Sequence, residues 1–427
     1  MFEIEKIDKR EIVLNTAFLI GIKDNNIEKA KVEEHLCELK ELVDTMGFST
    51  LGSEIVNLKL PSSKFYIGDG KAEEISNKAA ELKVECIIAD FDLSPSQQRN
   101  WEKLCGVSVI DRREVILDIF ASRATTHEAV LQVELAKMEY SLPRLKRAWT
   151  HLSRQHGGNA GTRGEGETQL EVDKRLVKKR ISQLKKEIKE MSKHRDVQRA
   201  SREKQSIPLG AIVGYTNAGK SSLLNKLAGA NVFVEDKLFA TLDPTTRVVN
   251  LPQNQKILLS DTVGFIRKLP HALVEAFKST LEEAMIADFL IHVLDMSNPA
   301  IEEHWATTLA LLTELKAINK PAIIVFNKVD KNSDILLKTR LKAMHNNAVF
   351  VSAVRGDGID ELLLKLSDMA NIGTEFMQLR LPVSAHETSA WIYRVGKVIK
   401  LSYEDDAILI TARIPKKYKS KVEEFIY

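Results

Sequence analysis

Cysteine is scarce in this chain, and its three copies, Cys37, Cys86 and Cys105, stand far apart with no CxxC pair. That pattern excludes a disulfide-built domain or a cysteine-rich zinc site and fits reduced thiols in a core. No apolar run approaches eighteen residues, which argues against a helix that crosses a membrane. The opening MFEIEKIDKR carries no basic-then-apolar targeting pattern, so a cytoplasmic protein is expected. Aromatic residues are few, at 6%, whereas 44% hydrophobic and 28% charged residues are ordinary for a globular chain. At 427 residues there is room for two to four domains.

A net charge of only +3 hides an uneven distribution. Residues 144–204 hold eighteen Lys/Arg against eight Asp/Glu, a local excess of +10 that leaves −7 for the remainder. Such a block reads either as a nucleic-acid surface or as a solvated helix face, and charge alone does not choose.

Along the chain the hydrophobic period changes. Residues 13–22 (VLNTAFLIGI), 84–90 (VECIIAD) and 107–111 read as buried strands, and 28–46 and 94–105 as helices. The alternation predicts a small α/β domain over residues 1–125 with a mostly parallel sheet. Its Gly68-Asp69-Gly70-Lys71 turn could seat an anion on a helix N-terminus, although a plain turn is the stronger reading.

Heptad spacing then joins Leu131, Leu135, Met138, Leu142, Leu145, Trp149 and Leu152, and again Val177, Ile181, Leu184, Ile188 and Met191. Two long helices packed as a hairpin over residues 126–206 follow, the first kinked at Pro143. The connection, residues 154–169, is glycine-rich and is expected to be a loop. Its Arg154, His156, Gly157, Gly158 and Arg163 form a basic tip able to reach RNA phosphates, and a simple hairpin needs far fewer residues. Strand–helix alternation resumes over residues 207–371. The last segment, 372–427, reads as a small α+β domain with strands near 397–402 and 407–412.

The chemistry is concentrated in the third segment. GYTNAGKS, that is Gly214, Tyr215, Thr216, Asn217, Ala218, Gly219, Lys220 and Ser221, followed by Ser222, lies between an apolar strand (209–213) and a helix (221–227). This is the context a phosphate-binding loop requires: backbone N–H groups ring the phosphates, Lys220 neutralises charge, and Ser221 can hold Mg²⁺. The pattern occurs by chance in about one or two per cent of chains of this length.

Base identity comes from Asn327-Lys328-Val329-Asp330 after the strand 322–326. A carboxylate at Asp330 can accept from both the ring N–H and the exocyclic amine of guanine, whereas adenine offers an acceptor there. Asp261-Thr262-Val263-Gly264 places Asp261 to hold Mg²⁺ through water and the Gly264 amide against a γ-phosphate. Phe239, Ala240, Thr241, Leu242 and Asp243 supply a further loop, with Thr241 as second Mg²⁺ ligand and Thr245 as its rival. Ser352 and Ala353 suit a loop closing on the guanine. In this order the motifs specify a GTPase using GTP, GDP and Mg²⁺, with Lys220, Thr241 and Gly264 nearest the chemistry. Where many small GTPases carry a water-orienting Gln after the DxxG motif, this chain has Phe265. Slow hydrolysis accelerated by a partner is therefore expected.

The stretches YIGDGKAEEI (66–75), SRQHGGNAGTRGEGETQLE, FATLDPTTR, DTVGFIRKLP and NKVD together make the chain similar to the HflX family of ribosome-associated GTPases, in the Obg-HflX-like group. The resemblance spans nearly all but the last fifty residues. It implies binding to the large ribosomal subunit and its RNA, and the splitting of idle or stalled ribosomes under stress. A role in assembling large-subunit precursors, or ATP-dependent RNA remodelling through the GDGK turn, are the alternatives. No dimer seam is visible, so a monomer is expected.

Overall fold

The computed structural model describes residues 15–25, 27–145, 163–202, 207–229, 238–239, 245–252, 255–267, 283–331, 334–372, 374–404 and 406–427. It has mixed α/β architecture in two compact units. Among the described residues, one holds those up to Ile188 together with Leu238 and Phe239, and the other holds the rest.

In the first unit, β1 (Asn15–Lys23), β2 (Phe48–Asn57), β3 (Cys86–Ala89) and β4 (Ser108–Asp111) form a parallel sheet in the order β2-β1-β3-β4. Helices α1 (Lys29–Thr45), α2 (Asp69–Glu81) and α3 (Pro95–Cys105) make the crossovers, and α4 (Arg112–Arg123) follows β4. The core gathers Phe18, Ile20, Ile67, Ile75, Ile87, Trp101 and Val109. Trp101 is satisfied by donating Nε1–H to the Phe65 carbonyl at 2.8 Å. Local chemistry sets the helix ends. Ser94 and Gln97 form a reciprocal capping box with Pro95 in the first turn, and Gly106 closes α3 at φ 74°. Asp111 caps α4 through the Glu114 N–H.

The expected strands and helices of this region appear, but β2 and α4 were not visible in the sequence pattern. β2 is a sheet edge whose Gly52-Ser53-Glu54 interrupts the apolar run. α4 begins with Arg112, which is 1% exposed and held between Asp90 and Glu38.

Helix α5 (His127–Ser141) passes into a 3₁₀ turn at Leu142–Arg144, and Leu145 is helical again, so the regular helix is interrupted at Pro143, where the sequence predicts a kink. Helix α6 (Arg163–Arg202) lies beside α5; Leu131, Leu135 and Leu184 of the two heptad runs are buried, whereas Val177, Ile181, Ile188 and Met191 are half-buried. Arg180 grips Glu134 with two 2.8 Å hydrogen bonds, and Lys185 reaches Glu139 at 2.8 Å. One expectation is corrected. The glycine-rich segment is not loop as far as residue 169: α6 starts at Arg163 and takes in Gly164 and Gly166. Each glycine costs about 1 kcal/mol against alanine, a deficit that a forty-residue helix rich in Glu, Gln, Lys and Arg absorbs. Arg154, His156, Gly157 and Gly158 lie outside the described residues, as do Ala240, Thr241, Leu242 and Asp243.

The second unit carries a six-stranded sheet in the order β10-β9-β8-β5-β7-β6. Its strands are β5 (Leu209–Gly214), β6 (Thr245–Leu251), β7 (Gln255–Asp261), β8 (Phe289–Asp295), β9 (Ala322–Asn327) and β10 (Val349–Phe350). All pairs are parallel except β6 with β7. Helices α7 (Lys220–Ala228), α8 (Ile301–Glu314), α9 (Ile335–Met344) and α10 (Ile359–Ala370) complete the doubly wound pattern. The carboxyl ends of β5, β7, β8 and β9 carry Gly214, Asp261, Asp295 and Asn327, which is where open α/β sheets place their ligands. The chain ends in a three-stranded antiparallel sheet of β11 (Thr374–Pro382), β12 (Lys397–Glu404) and β13 (Ala407–Pro415), with α11 (His386–Val395) between β11 and β12. The sequence pattern had shown β12 and β13 only.

Candidate nucleotide site

The loop between β5 and α7 is shaped by glycines at close approaches. Gly214 has φ 149°, and a Cβ there would stand 2.2 Å from the Val293 carbonyl oxygen on β8. Gly219 has φ 88°, and its Cβ would meet Asn327 Nδ2 at 2.3 Å. Asn217 also adopts a positive φ, 58°, a region Asn tolerates better than most residues. A second strand of contacts holds the loop from behind. The Thr216 N–H donates to the Phe265 carbonyl at 2.8 Å, and the Phe265 N–H donates to the Gly214 carbonyl at 3.1 Å. Tyr215 stacks on His304 with ring centroids 3.6 Å apart and accepts from the Arg267 N–H at 2.9 Å.

Inside this frame the polar groups converge. Lys220 is buried and donates Nζ–H to the Tyr215 carbonyl at 2.8 Å. Burial pulls its pKa down to about 8, with Asp261 opposing and Lys328 assisting. Ser221 Oγ donates to Asp261 Oδ2 at 2.5 Å. Thr262 Oγ1 donates to the Ile212 carbonyl at 2.7 Å, which fixes the DxxG strand end against β5. A Cβ on Gly264 would lie 2.7 Å from Thr216 Cα and 2.8 Å from Lys220 Nζ, so only glycine fits. The Thr216 hydroxyl is buried beside it and has no hydrogen-bond partner among the described residues.

The NKVD segment is wired to the same loop. Asn327 Nδ2 donates to the Ala218 carbonyl at 2.9 Å, and Asn327 Oδ1 accepts from the Ala353 N–H at 3.1 Å. One buried amide thus ties the phosphate loop to the Ser352-Ala353 turn across 109 residues in one direction and 26 in the other. Lys328, at φ 62°, pairs with Asp295 at 2.8 Å and reaches Asn217 Oδ1 at 3.4 Å. Asp330 Oδ1 accepts from Ser352 Oγ at 2.6 Å, and that bond holds the carboxyl below the usual aspartate range. Val329 donates its N–H to the Val351 carbonyl at 3.3 Å.

The structure brings together the phosphate loop, Asp261, Gly264, Asn327, Lys328, Asp330, Ser352 and Ala353. Thr245 opens β6 and is exposed. Phe239 is committed elsewhere: its ring is buried edge-on against Phe120 at 4.5 Å within the first unit, with φ 54°. Sequence reasoning missed Asp295 and the Tyr215–His304 stack. Asp295 did leave a signal, since it ends the apolar strand FLIHVLD at the sheet's carboxyl edge.

The residues present suit a nucleotide and a hard cation. A glycine-lined cradle, an orphaned buried hydroxyl and the Ser221–Asp261 oxygen pair are what phosphate and Mg²⁺ take as partners. Lys71 of the GDGK turn, by contrast, is held by Glu54 at 2.5 Å and Glu74 at 2.8 Å, and its pKa is raised by them.

Three family models match the chain: "GTP-binding GTPase N-terminal" over residues 33–121, "GTP-binding GTPase Middle Region" over 123–202, and "50S ribosome-binding GTPase" over 210–328. The GTPase HflX of Akkermansia muciniphila is 45% identical, covering 100% of this chain and 99% of the relative. That of Escherichia coli is 41% identical, covering 90% of each. A GTP-binding protein from Sulfolobus solfataricus solved with GDP is 28% identical, covering 84% of this chain and 99% of that one, with a TM-score of 0.45.

Proposed function

The chain belongs to the HflX family of GTPases, and on that premise we propose that it binds the large ribosomal subunit and uses its GTP cycle to split idle or stalled ribosomes. That it binds guanine nucleotide and hydrolyses GTP follows from the family and its phosphate-loop domain.

In this reading the N–H groups of residues 214–221 wrap the phosphates. Lys220 leaves the Tyr215 carbonyl to neutralise the β- and γ-oxygens, and the Gly264 N–H answers the γ-phosphate. Asp330, aimed by Ser352, reads the guanine edge, while Asn327 keeps base and phosphate sites in register. Ser221, with Asp261 behind it, would hold Mg²⁺, which neutralises charge on the phosphate oxygens when bound. Thr241 would join them. Arg154, His156, Gly157, Gly158 and Arg163 would meet ribosomal RNA in a cytoplasmic, monomeric protein. Among the described residues no helix is long and apolar enough to cross a membrane.

The observation that carries the need for a ribosome is Phe265. It is 1% exposed and pinned to the phosphate loop through both its N–H and its carbonyl. A buried phenyl ring cannot orient an attacking water, so the activating group must arrive from outside. GTP hydrolysis measured with and without purified large subunits tests this. Strong stimulation, lost in Asp330→Asn and indifferent to ATP, supports the reading; fast single-turnover hydrolysis by the chain alone sinks it. Loss of whole-ribosome light scattering on addition of protein and GTP then separates splitting from precursor assembly. The ATP alternative is disfavoured because Lys71 is already engaged by two carboxylates.

A further inference from the structure

Thr216 carries a polar atom that the fold of the phosphate loop does not use. The residue is 6% exposed, and its Oγ1 has no hydrogen-bond partner among the described residues. A hydroxyl buried in that way costs stability, because water is removed and nothing replaces it. Packing does not account for it, since a valine would fill the same volume with no polar atom to satisfy. A ligand that accepts a hydrogen bond would remove the cost.

The surroundings identify that ligand. The Thr216 backbone is fixed, because its N–H donates to the Phe265 carbonyl at 2.8 Å and Phe265 donates in turn to the Gly214 carbonyl at 3.1 Å. A single point, where a Cβ on Gly264 would stand, lies 2.7 Å from Thr216 Cγ2 and 2.8 Å from Lys220 Nζ. The Thr216 side chain, the Lys220 ammonium and Gly264 therefore enclose one small space. Two of the three are the groups assigned above to the γ-phosphate: Lys220 as counter-charge and Gly264 through its N–H. Thr216 is the third wall, and its hydroxyl is the group there without a task.

We propose that the Thr216 hydroxyl donates a hydrogen bond to a γ-phosphate oxygen and so makes the site favour GTP over GDP. The inference rests on the nucleotide-site reading given above and adds a specificity-determining side chain to it. GDP has no group at this corner, so the hydroxyl stays unpaired in that complex. A β-phosphate oxygen is the weaker partner, because the loop N–H groups leading into α7 serve it. A cation is served by Ser221 and Asp261 instead, and a hydroxyl next to an ammonium is a poor place for a second positive charge. Neither the ribosome nor hydrolysis is needed to test the assignment.

The test uses the full chain with Mg²⁺ and titrates GDP and a non-hydrolysable GTP analogue with an imido β,γ bridge, each displacing a fluorescent GDP analogue. Thr216→Val should bind the GTP analogue about 10- to 100-fold more weakly than the parent, and GDP within about twofold of it. Thr216→Ser, which keeps the hydroxyl, should bind both nucleotides as the parent does. Without nucleotide, Thr216→Val should melt at or above the parent, because the change removes an unpaired buried oxygen. A lower melting point would show that the hydroxyl already has a partner and overturns the proposal. Affinity lost equally for both nucleotides overturns it too and leaves Thr216 a residue that shapes the loop. Unchanged affinity for both, with slower ribosome-stimulated hydrolysis, overturns it and moves the hydroxyl to the attacking water. A parent that binds neither nucleotide removes the nucleotide-site reading and this proposal together, whereas a parent that binds both and a Thr216→Val that discriminates like it remove this proposal alone.

Discussion

Ser352 Oγ donates a 2.6 Å hydrogen bond to Asp330 Oδ1, and Ser352 itself is fully buried and accepts the Arg355 N–H at 3.1 Å. The carboxylate proposed to read guanine is therefore aimed before any base arrives. Losing that aim should cost about 1 kcal/mol, the net worth of one hydrogen bond. Ser352→Ala is expected to weaken GTP binding about fivefold, and Asp330→Asn to weaken it far more, because two charge-assisted bonds of about 1.5–3 kcal/mol each are lost. Competition titration with a fluorescent GDP analogue measures both. Equal affinities in parent and Asp330→Asn would remove Asp330 from the base site.

A glycine pair tests the bridge from base site to phosphate loop. Gly219 and Gly229 both have positive φ, 88° and 64°, but only at Gly219 would a methyl meet a neighbour, Asn327 Nδ2 at 2.3 Å. Gly229→Ala should cost only left-handed strain, about 1–2 kcal/mol of stability. Gly219→Ala adds a displaced Asn327 and an unsatisfied Ala218 carbonyl, about 1–3 kcal/mol more, and should abolish tight nucleotide binding while the chain stays folded. If both variants bind GDP alike, Asn327 is not the brace described above.

Much of this site was legible because its motifs are contiguous. GYTNAGKS and NKVD each sit at the end of an apolar run that became β5 or β9, so motif and element could be read together. What stayed hidden depends on partners distant in the chain. Nothing near Lys328 announces Asp295, and nothing near Phe239 announces Phe120. β2 escaped because an edge strand tolerates polar residues and glycine, so the alternation that marks a half-buried strand is broken at Gly52. Gly164 and Gly166 misled in the opposite direction: their local preference for loop was overridden by the helix that continues beyond them.

Lys220 gives the site a pH dependence. In the nucleotide-free protein its pKa is pushed down to about 8 by burial, and phosphate at its ammonium would raise it. Below pH 8 the lysine is charged in both states and binding is unaffected. As pH rises through about 8 the free protein loses the proton that the complex keeps, so affinity should fall, up to about tenfold per pH unit. Calorimetry at pH 8.5 in buffers of different ionisation enthalpy should detect net proton uptake on GDP binding, absent in Lys220→Met. Proton release in the parent would reverse the assignment.

Arg112 offers a prediction about stability alone. Its guanidinium, 1% exposed, is paired with Asp90 at 3.0 Å and with Glu38 on α1, so three charges share the interior of the first unit. Removing the cation leaves two carboxylates without it, a change that costs about 3–5 kcal/mol when the site stays dry. Arg112→Met should therefore lower the urea midpoint of the N-terminal unit, followed by hydrogen exchange of peptides from β1 and β3, while GDP affinity at the nucleotide loop, which belongs to the second unit, holds. Replacing Asp90 by Asn and Glu38 by Gln in the same chain should recover most of the loss, because no buried charge then remains. A loss below about 1 kcal/mol in the single variant would mean that water reaches these groups and that the network adds little.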